Sequence, residues 1–232
     1  MQAIRDNLAR TRDRMVAAAE RAGRDPSEIL LVGVSKYVSA ALSAELVGAG
    51  CVDLGESRPQ QLWDKAATAE FQSIDVRWHM IGHLQRNKVA RTVPLVSLIH
   101  SVDSPRLIKA IDDAAREIGK RQAMLLEVNC SGDVEKHGFT EDEIREFLPQ
   151  LAEFESVEVQ GLMTMAAGSR DLAEAAANFA TLRNLRDELA PLAPPGVVLA
   201  ELSMGMTADF EVAIAEGATI VRVGSALWEG VE

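Results

Sequence analysis

Eight short apolar runs alternate along the chain with longer amphipathic segments, and this alternation restricts the fold more than any other feature. The predicted strands span 29–35, 51–54, 76–81, 96–101, 123–129, 157–162, 198–202 and 219–223. The predicted helices span 40–49, 59–72, 85–92, 104–119, 140–153, 171–190 and 207–216, after an extra N-terminal helix that ends near residue 21. Strands that alternate with helices pair in parallel, so the pattern predicts an α/β fold, a single (β/α)8 TIM barrel.

The segment boundaries agree with this interpretation. Thr140 and Glu143 form a capping-box pattern at one predicted helix start. Glycines stand where helices are expected to end, at Gly23, Gly50, Gly119 and Gly217. An open doubly wound sheet is the alternative, but its glycine-rich dinucleotide motif is absent after the first strand. No linker divides the chain, so we expect residues 1–232 to form one domain.

Charge and cysteine content exclude several classes of function. The net charge is −11 and no stripe of Lys and Arg stands out, which argues against a nucleic-acid partner. Two cysteines, Cys51 and Cys130, are too few for a disulfide framework and lack metal-ligand spacing. The apolar runs are too short to span a membrane, and the polar N-terminus is not a signal peptide. The cysteine count favours a cytoplasmic protein, and we expect a monomer.

Lys36 ends the first apolar run and is the first candidate for covalent chemistry. An ammonium at the end of a buried strand is partly out of water, which lowers its pKa and prepares the amine to attack a carbonyl. The alternative interpretation is that Lys36 only marks where the strand meets solvent.

Polar and small residues follow most of the predicted strands, at the end of the barrel where catalytic and binding sites lie. After the seventh strand comes Ser203-Met-Gly-Met206, and after the eighth comes Gly224-Ser225. This is the position where barrels commonly bind a phosphate group through backbone N–H donors. The alternative is that these residues only form tight turns.

Arg222 interrupts the apolar eighth strand. Strand alternation places Val221 and Val223 on one face and Arg222 on the other, so Arg222 points into the barrel if the valines face the helices. A buried guanidinium needs hydrogen-bond acceptors, which a ligand would supply. The alternative is a structural ion pair with Glu127 or Glu201. Barrel closure would bring Arg222 and Lys36 to one site.

Several ordered motifs along nearly the whole chain resemble a known family. They are Val34-Ser-Lys36, Leu54-Gly-Glu-Ser57, Trp78-His-Met-Ile-Gly-His83-Leu-Gln, Asn87-Lys88, His100-Ser-Val-Asp103, Gly161-Leu-Met-Thr, Leu202-Ser-Met-Gly-Met206-Thr-Ala-Asp209, 211–217 and Val221-Arg-Val-Gly-Ser-Ala226. The chain resembles the pyridoxal phosphate homeostasis proteins, carriers of pyridoxal 5'-phosphate (PLP) that are built like the N-terminal barrel domain of alanine racemase. The resemblance implies PLP as the cofactor and PLP-dependent apoenzymes as acceptors.

The resemblance also implies roles for individual residues. Lys36 would form an aldimine with PLP, and Arg222 would face the pyridine nitrogen. The phosphate would be held by Ser203, Gly224 and Ser225, while the pocket would be lined by Met163, Met204, Gly205 and, on a matching loop, His83. The family usually has Asn where this chain has Ser57, and the shorter hydroxyl is not expected to reach the cofactor as an amide would, so Ser57 is the weakest of these candidates.

A carrier is favoured over an enzyme by two features. A cationic Arg222 disfavours a proton on the pyridine nitrogen and weakens the ring as an electron sink. In the racemases that the resemblance indicates, a tyrosine from a second domain supplies the opposite base, whereas the one tyrosine here is Tyr37 beside Lys36, expected on the opposite strand face. A PLP-dependent racemase and a phosphate-binding barrel isomerase that uses Lys36 as a base remain alternatives.

Other candidate sites have weaker support. His79 and His83 have the spacing of a helical metal pair, but 76–81 is a predicted strand and no third ligand is evident, so we expect no metal there. His79 and His100 are expected in the core and His137 on an exposed loop. Glu201 and Asp209 could serve as acid and base, but no spacing pairs them. The methionines at 163, 165, 204 and 206 are expected to be barrel packing.

Overall fold

The computed structural model describes residues 2–133, 137–166 and 171–231, in which eight parallel strands close into a barrel. The strands are β1 Leu30–Val34, β2 Asp53–Glu56, β3 Arg77–Met80, β4 Val96–Val102, β5 Gln122–Glu127, β6 Val157–Met163, β7 Glu201–Ser203 and β8 Ile220–Val223. Each strand pairs with the next along the chain, and β8 pairs with β1. The predicted (β/α)8 barrel is confirmed, and the open doubly wound sheet is wrong.

Helices surround the barrel. They are α1 Gln2–Arg21, α2 Ala40–Gly48, α3 Pro59–Ala66, α4 Ala69–Gln72, α5 Val89–Thr92, α6 Pro105–Glu117, α7 Glu141–Phe147, α8 Leu172–Leu189 and α9 Phe210–Ala215. The capping box of Thr140 and Glu143 is confirmed at the start of α7. Every helix in the described part of the chain is too short or too polar to cross a bilayer.

Three predicted helices are divided or partly 3-10. The range 59–72 contains α3 and α4, and 85–92 begins as a 3-10 turn before α5. The range 140–153 changes at Leu148 from α7 to a 3-10 segment, because Pro149 lacks the N–H that an α-helix would need there. Local hydrogen bonding therefore differs from the prediction, although the amphipathic segments themselves are where the sequence pattern put them.

Two strand boundaries were also predicted wrongly. The second strand was expected at 51–54 but is Asp53–Glu56, because Glu56 is fully buried although it is charged. The seventh was expected at 198–202 but is Glu201–Ser203. Before it, the N–H groups of Val198 and Ala200 still donate to carbonyls of β6 at 3.0 Å without forming a regular ladder.

The apolar core has two parts. A small cluster fills the interior of the barrel and consists of Val32, Leu98, Leu125, Met163 and Ile220. A much larger cluster lies between the strands and the surrounding helices. Because the interior cluster is small, it leaves room inside the barrel for polar side chains toward the carboxyl ends of the strands.

The segment after β8 and the N-terminal helix brace the end of β1. Trp228 Nε1 donates to the carbonyl of Val34 at 2.8 Å. Asn7 on α1 donates through Nδ2 to the carbonyls of Leu227 at 3.1 Å and Glu229 at 2.9 Å. The last residue of β1 is therefore held both by its neighbouring strands and by a segment almost two hundred residues away.

Candidate functional site

Lys36 lies in a turn just beyond β1. The strand ends at Val34, and the N–H of Val38 donates to the carbonyl of Ser35 at 3.1 Å to close the turn. Lys36 is exposed, so the expectation that its ammonium is partly out of water is wrong. It lies at the carboxyl end of the barrel, where the sequence placed it, with an amine accessible to a ligand from solvent.

Tyr37 was expected to lie on the first strand, but it lies beyond the strand's end. It is the third residue of the turn, has φ of +66° and is 76% exposed. The guanidinium of Arg58 lies over its ring at 5.8 Å from the centroid. Because strand alternation does not apply in this turn, the argument that placed Tyr37 on the opposite face from Lys36 is wrong.

A buried ion pair holds the backbone just before Lys36. Lys65 on α3 contacts Glu56 Oε1 and also donates from Nζ to the carbonyl of Ser35 at 2.6 Å. The Ser35 hydroxyl donates to Glu56 Oε1 at 2.8 Å. Glu56 is fully buried and Lys65 is 8% exposed, so this contact lies between the barrel and α3. The start of the Lys36 turn is therefore anchored from outside the barrel.

Arg222 is buried and bonded inside the barrel, as strand alternation predicted. Its Nη1 donates to Ser203 Oγ, and its Nη2 donates to the carbonyl of Thr164 at 3.0 Å. Both acceptors are neutral, and a guanidinium has five N–H donors in total. Arg222 thus retains capacity to bind a further acceptor.

A line of hydrogen bonds continues from Arg222 through the barrel, and we name it the interior chain. It consists of Arg222, Ser203, His100, His79 and Asp53. Ser203 Oγ lies 2.8 Å from His100 Nδ1, and His100 Nε2 lies 2.9 Å from His79 Nδ1. His79 Nε2 lies 3.0 Å from Asp53 Oδ1. When each imidazole carries one proton, every donor can point from Arg222 toward Asp53.

The predicted ion pairs of Arg222 are not formed. Glu201 instead accepts a hydrogen bond from Thr219 Oγ1 at 2.5 Å. Glu127 is near enough to favour the charged guanidinium, but no carboxylate in the described residues makes a salt bridge with Arg222. The interpretation of Arg222 as half of a structural ion pair is therefore wrong, and a ligand acceptor is left as the alternative.

Burial shifts the pKa values of three groups here. Desolvation lowers the pKa of Arg222 to about 10, so it is still a cation at neutral pH. Desolvation lowers the pKa of His100 well below its usual range, which keeps the imidazole neutral. Desolvation, and then the charge of Asp103, raise the pKa of Glu127 to about 7. Arg222 is therefore a buried cation, with Glu127 and Asp209 near enough to favour its charge but neither in a salt bridge with it.

The loops after β7 and β8 are bonded to each other. The N–H of Gly224 donates to Thr207 Oγ1 at 3.1 Å, and the N–H of Met206 donates to Asp209 Oδ1 at 2.6 Å. Ser225 is exposed and begins a 3-10 turn, Ser225–Leu227. Asp209 thus shapes a loop, and nothing pairs it with Glu201 as acid and base.

Gly205 is required by packing as well as by conformation. Its φ is +92°, and a Cβ there would lie 2.5 Å from the Cβ of Ala213 and 2.9 Å from the Cα of Phe210. Any side chain would force the loop after β7 away from α9. Gly205 therefore fixes the loop that follows Ser203, which is a structural role in addition to the predicted lining of a pocket.

The predicted pocket methionines divide into two kinds. Met163 is fully buried in the interior cluster, at the end of β6 and below the mouth of the barrel. Met204 is fully buried in the outer core, on the side facing the helices. Met165 and Met206 are 38% and 40% exposed, so barrel packing accounts for only half of the four.

Ser57 and His83 lie beside one another at the mouth. They border a shared cavity of about 490 Å³, together with Gln85 and Lys88. His83 Nδ1 lies 3.0 Å from Asp103 Oδ2, whereas His79 points into the barrel. The two histidines with four-residue spacing thus have separate partners, and His137 is exposed as expected.

Sequence reasoning missed several residues that shape this site. Lys65 and Glu56 were not paired, and His100, Thr164 and Thr207 were not connected with Arg222 or Gly224. Strand alternation could have placed His79 and His100 on inward faces. The rotation of α3 that brings Lys65 to Ser35 has no comparable signal in the sequence.

The fold matches proteins of known structure. A family model described as "Alanine racemase, N-terminal domain" matches residues 1–230. A solved alanine racemase from Clostridium difficile has a TM-score of 0.75 at 16% identity and covers 98% of this chain and 56% of that chain. The protein is therefore a barrel of the alanine racemase type.

Relatives of higher sequence identity identify the family within this class of barrels. The pyridoxal phosphate homeostasis protein of Aquifex aeolicus is 39% identical over 223 residues, 96% of each chain. That of Escherichia coli is 34% identical and covers 98% of this chain and 97% of its own. PipY of Synechococcus elongatus, solved with PLP bound, has a TM-score of 0.85 at 36% identity, covering 97% and 99%. The chain belongs to the pyridoxal phosphate homeostasis protein family.

Proposed function

We propose that this protein binds PLP covalently through Lys36 and serves in PLP homeostasis, by storage, buffering and delivery. The observation that carries the proposal is Arg222, a buried cation that has neutral partners and spare donors. A pyridine nitrogen is an acceptor without charge, which fits such a donor. The relative from Synechococcus elongatus, solved with PLP bound, supports the same cofactor.

The residues at the mouth fit the remaining groups of PLP. Lys36 supplies an exposed amine beyond β1, and β1 pairs with β8, the strand that carries Arg222. Gly224 and Ser225 follow β8; Ser225 would hold the phosphate through its hydroxyl and backbone N–H, and Gly224, whose own N–H donates to Thr207 Oγ1, would let the phosphate approach the backbone closely. When bound, PLP supplies an aldehyde for a covalent link to an amine and a ring that can withdraw electrons.

We further propose that the protein has no robust racemase or decarboxylase activity. Arg222 retains its charge at neutral pH and would disfavour protonation of the pyridine nitrogen, which weakens electron withdrawal. Tyr37 is in an exposed turn and is not fixed against a substrate. Monomeric state, cytoplasmic location and transfer to PLP-dependent apoenzymes belong to the same proposal.

The test of the covalent link uses reduction and peptide mapping. Purified protein is incubated with PLP, reduced with borohydride and digested, and mass spectrometry should find the adduct on the Lys36 peptide. Lys36→Ala should lose the adduct and keep its circular dichroism spectrum. Lys109→Ala, an exposed lysine on α6, is the matched control. An adduct that stays in Lys36→Ala would reject the assignment.

The proposed phosphate site at Ser225 can be tested without substituting Lys36. Ser225→Asp should repel the phosphate of PLP and weaken binding, whereas pyridoxal, which lacks the phosphate, should bind poorly to both proteins. Equal affinity of the unmodified protein for PLP and pyridoxal would argue against the phosphate site.

The enzyme alternative is tested by isotope exchange. The PLP-loaded protein is incubated with single L-amino acids in deuterated water, and nuclear magnetic resonance follows the α-proton while chiral chromatography follows configuration. We expect slow exchange at most. Rapid exchange on one amino acid that disappears in Lys36→Ala would make this protein an enzyme.

A further inference from the structure

Three side chains at the mouth of the barrel converge on one point. His83 is in the loop after β3, Asp103 directly follows β4, and His137 precedes a β-bridge to the end of β5. Within 2–133, 137–166 and 171–231, this is the group of three His, Cys, Asp or Glu residues whose ligand atoms all lie within 4.8 Å of one another. The three residues come from three consecutive strand ends, so the barrel itself brings them together.

The three ligand atoms are close enough to share one divalent transition metal, in place of the hydrogen bond between His83 and Asp103. Asp103 Oδ2 lies 3.0 Å from His83 Nδ1 and 3.9 Å from His137 Nδ1. A tetrahedral ion with bonds of about 2.0–2.1 Å has neighbouring ligand atoms about 3.3 Å apart, between these two values. The two imidazole rings are stacked at 4.2 Å. Two stacked imidazolium cations would repel each other, whereas two neutral imidazoles can each give a lone pair to a metal.

Ser104 orients the carboxylate of Asp103 and does not cap α6 with its side chain. Ser104 stands at the N-cap of α6, but its side chain makes no capping hydrogen bond. Its hydroxyl instead donates to Asp103 Oδ1 at 3.1 Å, which leaves Oδ2 facing both histidines. Hydrogen bonds of this kind typically orient the carboxylate ligands of metal sites.

The position of His137 is fixed on its C-terminal side. The N–H of Phe139 donates to the carbonyl of Glu127 at 2.8 Å. Gly138 has φ of +114°, and a Cβ there would lie 2.9 Å from the backbone N of Asn129. His137 is therefore joined to a backbone segment that packs tightly against the end of β5.

We propose that His83, Asp103 and His137 form a binding site for a divalent transition metal, with Zn²⁺ the best match to two imidazoles and a carboxylate. The site borders a cavity of about 460 Å³ that is also lined by Gln85, Asn87 and Arg106. This cavity leaves a fourth coordination position open to water or to an anionic ligand.

The test uses protein free of PLP, so its outcome is independent of the proposed cofactor. Isothermal titration with Zn²⁺ should show one ion per chain, and Co²⁺ should give a visible absorption band of a tetrahedral site. Ser104→Ala should lower affinity by roughly 10- to 100-fold, as removal of an outer hydrogen bond does. His83→Gln and His137→Gln should each lower affinity by more than Ser104→Ala does.

The chain offers matched controls. Cys130→Ser tests whether the half-buried thiol binds the metal instead, and it should leave the titration unchanged. Absence of a stoichiometric Zn²⁺ site in the unmodified protein would overturn the proposal. Unchanged affinity in the double variant of His83→Gln and His137→Gln would also overturn it, because the metal would then be bound elsewhere.

Discussion

Two buried polar networks flank the candidate site, and they solve the problem of burying charge in opposite ways. Between barrel and α3, Lys65 and Glu56 place full opposite charges in contact, while Glu56 Oε2 has no hydrogen-bond partner among the described residues. Inside the barrel, the interior chain separates the cation Arg222 from Asp53 by the side chains of Ser203, His100 and His79, and Asp53 is paired with Arg77 at the far end. One network neutralises itself locally, and the other keeps a cation available.

This difference suggests a division of work. A contact ion pair has little attraction left for a ligand, so the Glu56–Lys65 pair can act only on the protein, through the carbonyl of Ser35. Arg222 is bound by a hydroxyl and a carbonyl that carry no charge. Breaking the outer network should therefore affect stability, whereas changing Arg222 should affect binding.

The largest expected effect is on the outer network. Lys65→Met leaves the buried Glu56 carboxylate unpaired, which should lower the free energy of unfolding by about 3–5 kcal/mol. Urea denaturation measures this value. Lys109→Met removes an exposed ion pair with Asp113 and should change the same free energy by less than about 1 kcal/mol.

A double variant sharpens this prediction. Replacing both partners, Glu56→Leu with Lys65→Met, removes the uncompensated charge and should recover much of the lost stability. If Lys65→Met is as stable as Lys109→Met, the Glu56–Lys65 pair is not the anchor of the Lys36 turn.

Glu127 provides a test of how strongly burial inside the barrel disfavours an ionised carboxylate. Its pKa is raised from 4.5 to about 7, so the folded protein binds this proton more tightly than the unfolded chain does. The resulting stabilisation is complete below about pH 4.5 and is lost as the pH rises through 7. Its full size is about 3 kcal/mol.

Glu127→Gln should abolish this pH dependence because the amide stays neutral. The variant should resemble the unmodified protein near pH 4.5 and be more stable at pH 8, by up to about 3 kcal/mol in the free energy of unfolding. Urea titrations at the two pH values measure the difference. Glu153→Gln, at an exposed position, should leave the pH profile as it is, and an identical effect there would refute the argument from burial.

Arg222→Met should weaken PLP binding while changing stability little. Loss of a hydrogen bond from a charged donor removes about 1.5–3 kcal/mol of binding free energy. The free energy of unfolding should change less than in Lys65→Met, since Ser203 Oγ retains His100 as a partner. Fluorescence titration with PLP and urea denaturation separate the two effects, and a large stability loss with unchanged affinity would reverse the assigned roles.

The smallest effect is expected at Ser57. Ser57→Asn restores the amide usual in the family, and one further neutral hydrogen bond contributes about 0.5–1.5 kcal/mol. PLP affinity should therefore rise by roughly 2- to 13-fold, as measured by titration. Ser57→Ala should weaken affinity or leave it unchanged, and weaker binding in Ser57→Asn would mean that the amide does not reach the cofactor.

The sequence predicted the barrel because apolar periodicity directly reports which faces of strands and helices are buried. It also predicted the inward direction of Arg222 from strand alternation. The predicted strand boundaries were wrong where a charged residue is buried. Glu56, for example, is the last residue of β2 and lies in the core because Lys65 pairs with it. That pairing depends on how α3 packs, which local sequence does not determine.

The local shape at Lys36 was equally beyond prediction. Positive φ is usually marked by Gly or Asn, and Tyr37 carries neither signal. The turn exists because β1, the Glu56–Lys65 pair and Trp228 fix the chain before it. The candidate site was thus predictable as a set of strand ends, while its hydrogen bonds follow from tertiary packing.

The bond from Trp228 to Val34 has a consequence for synthesis on the ribosome. The two residues are 194 positions apart, and β1 cannot pair on one side until β8 has been synthesised. At 5–20 residues per second, roughly 10–40 s pass between translation of the first strand and arrival of these partners. During that interval one edge of β1 is unpaired and can bind other nascent chains or chaperones. The site for PLP is complete only after residue 228 has emerged from the ribosome.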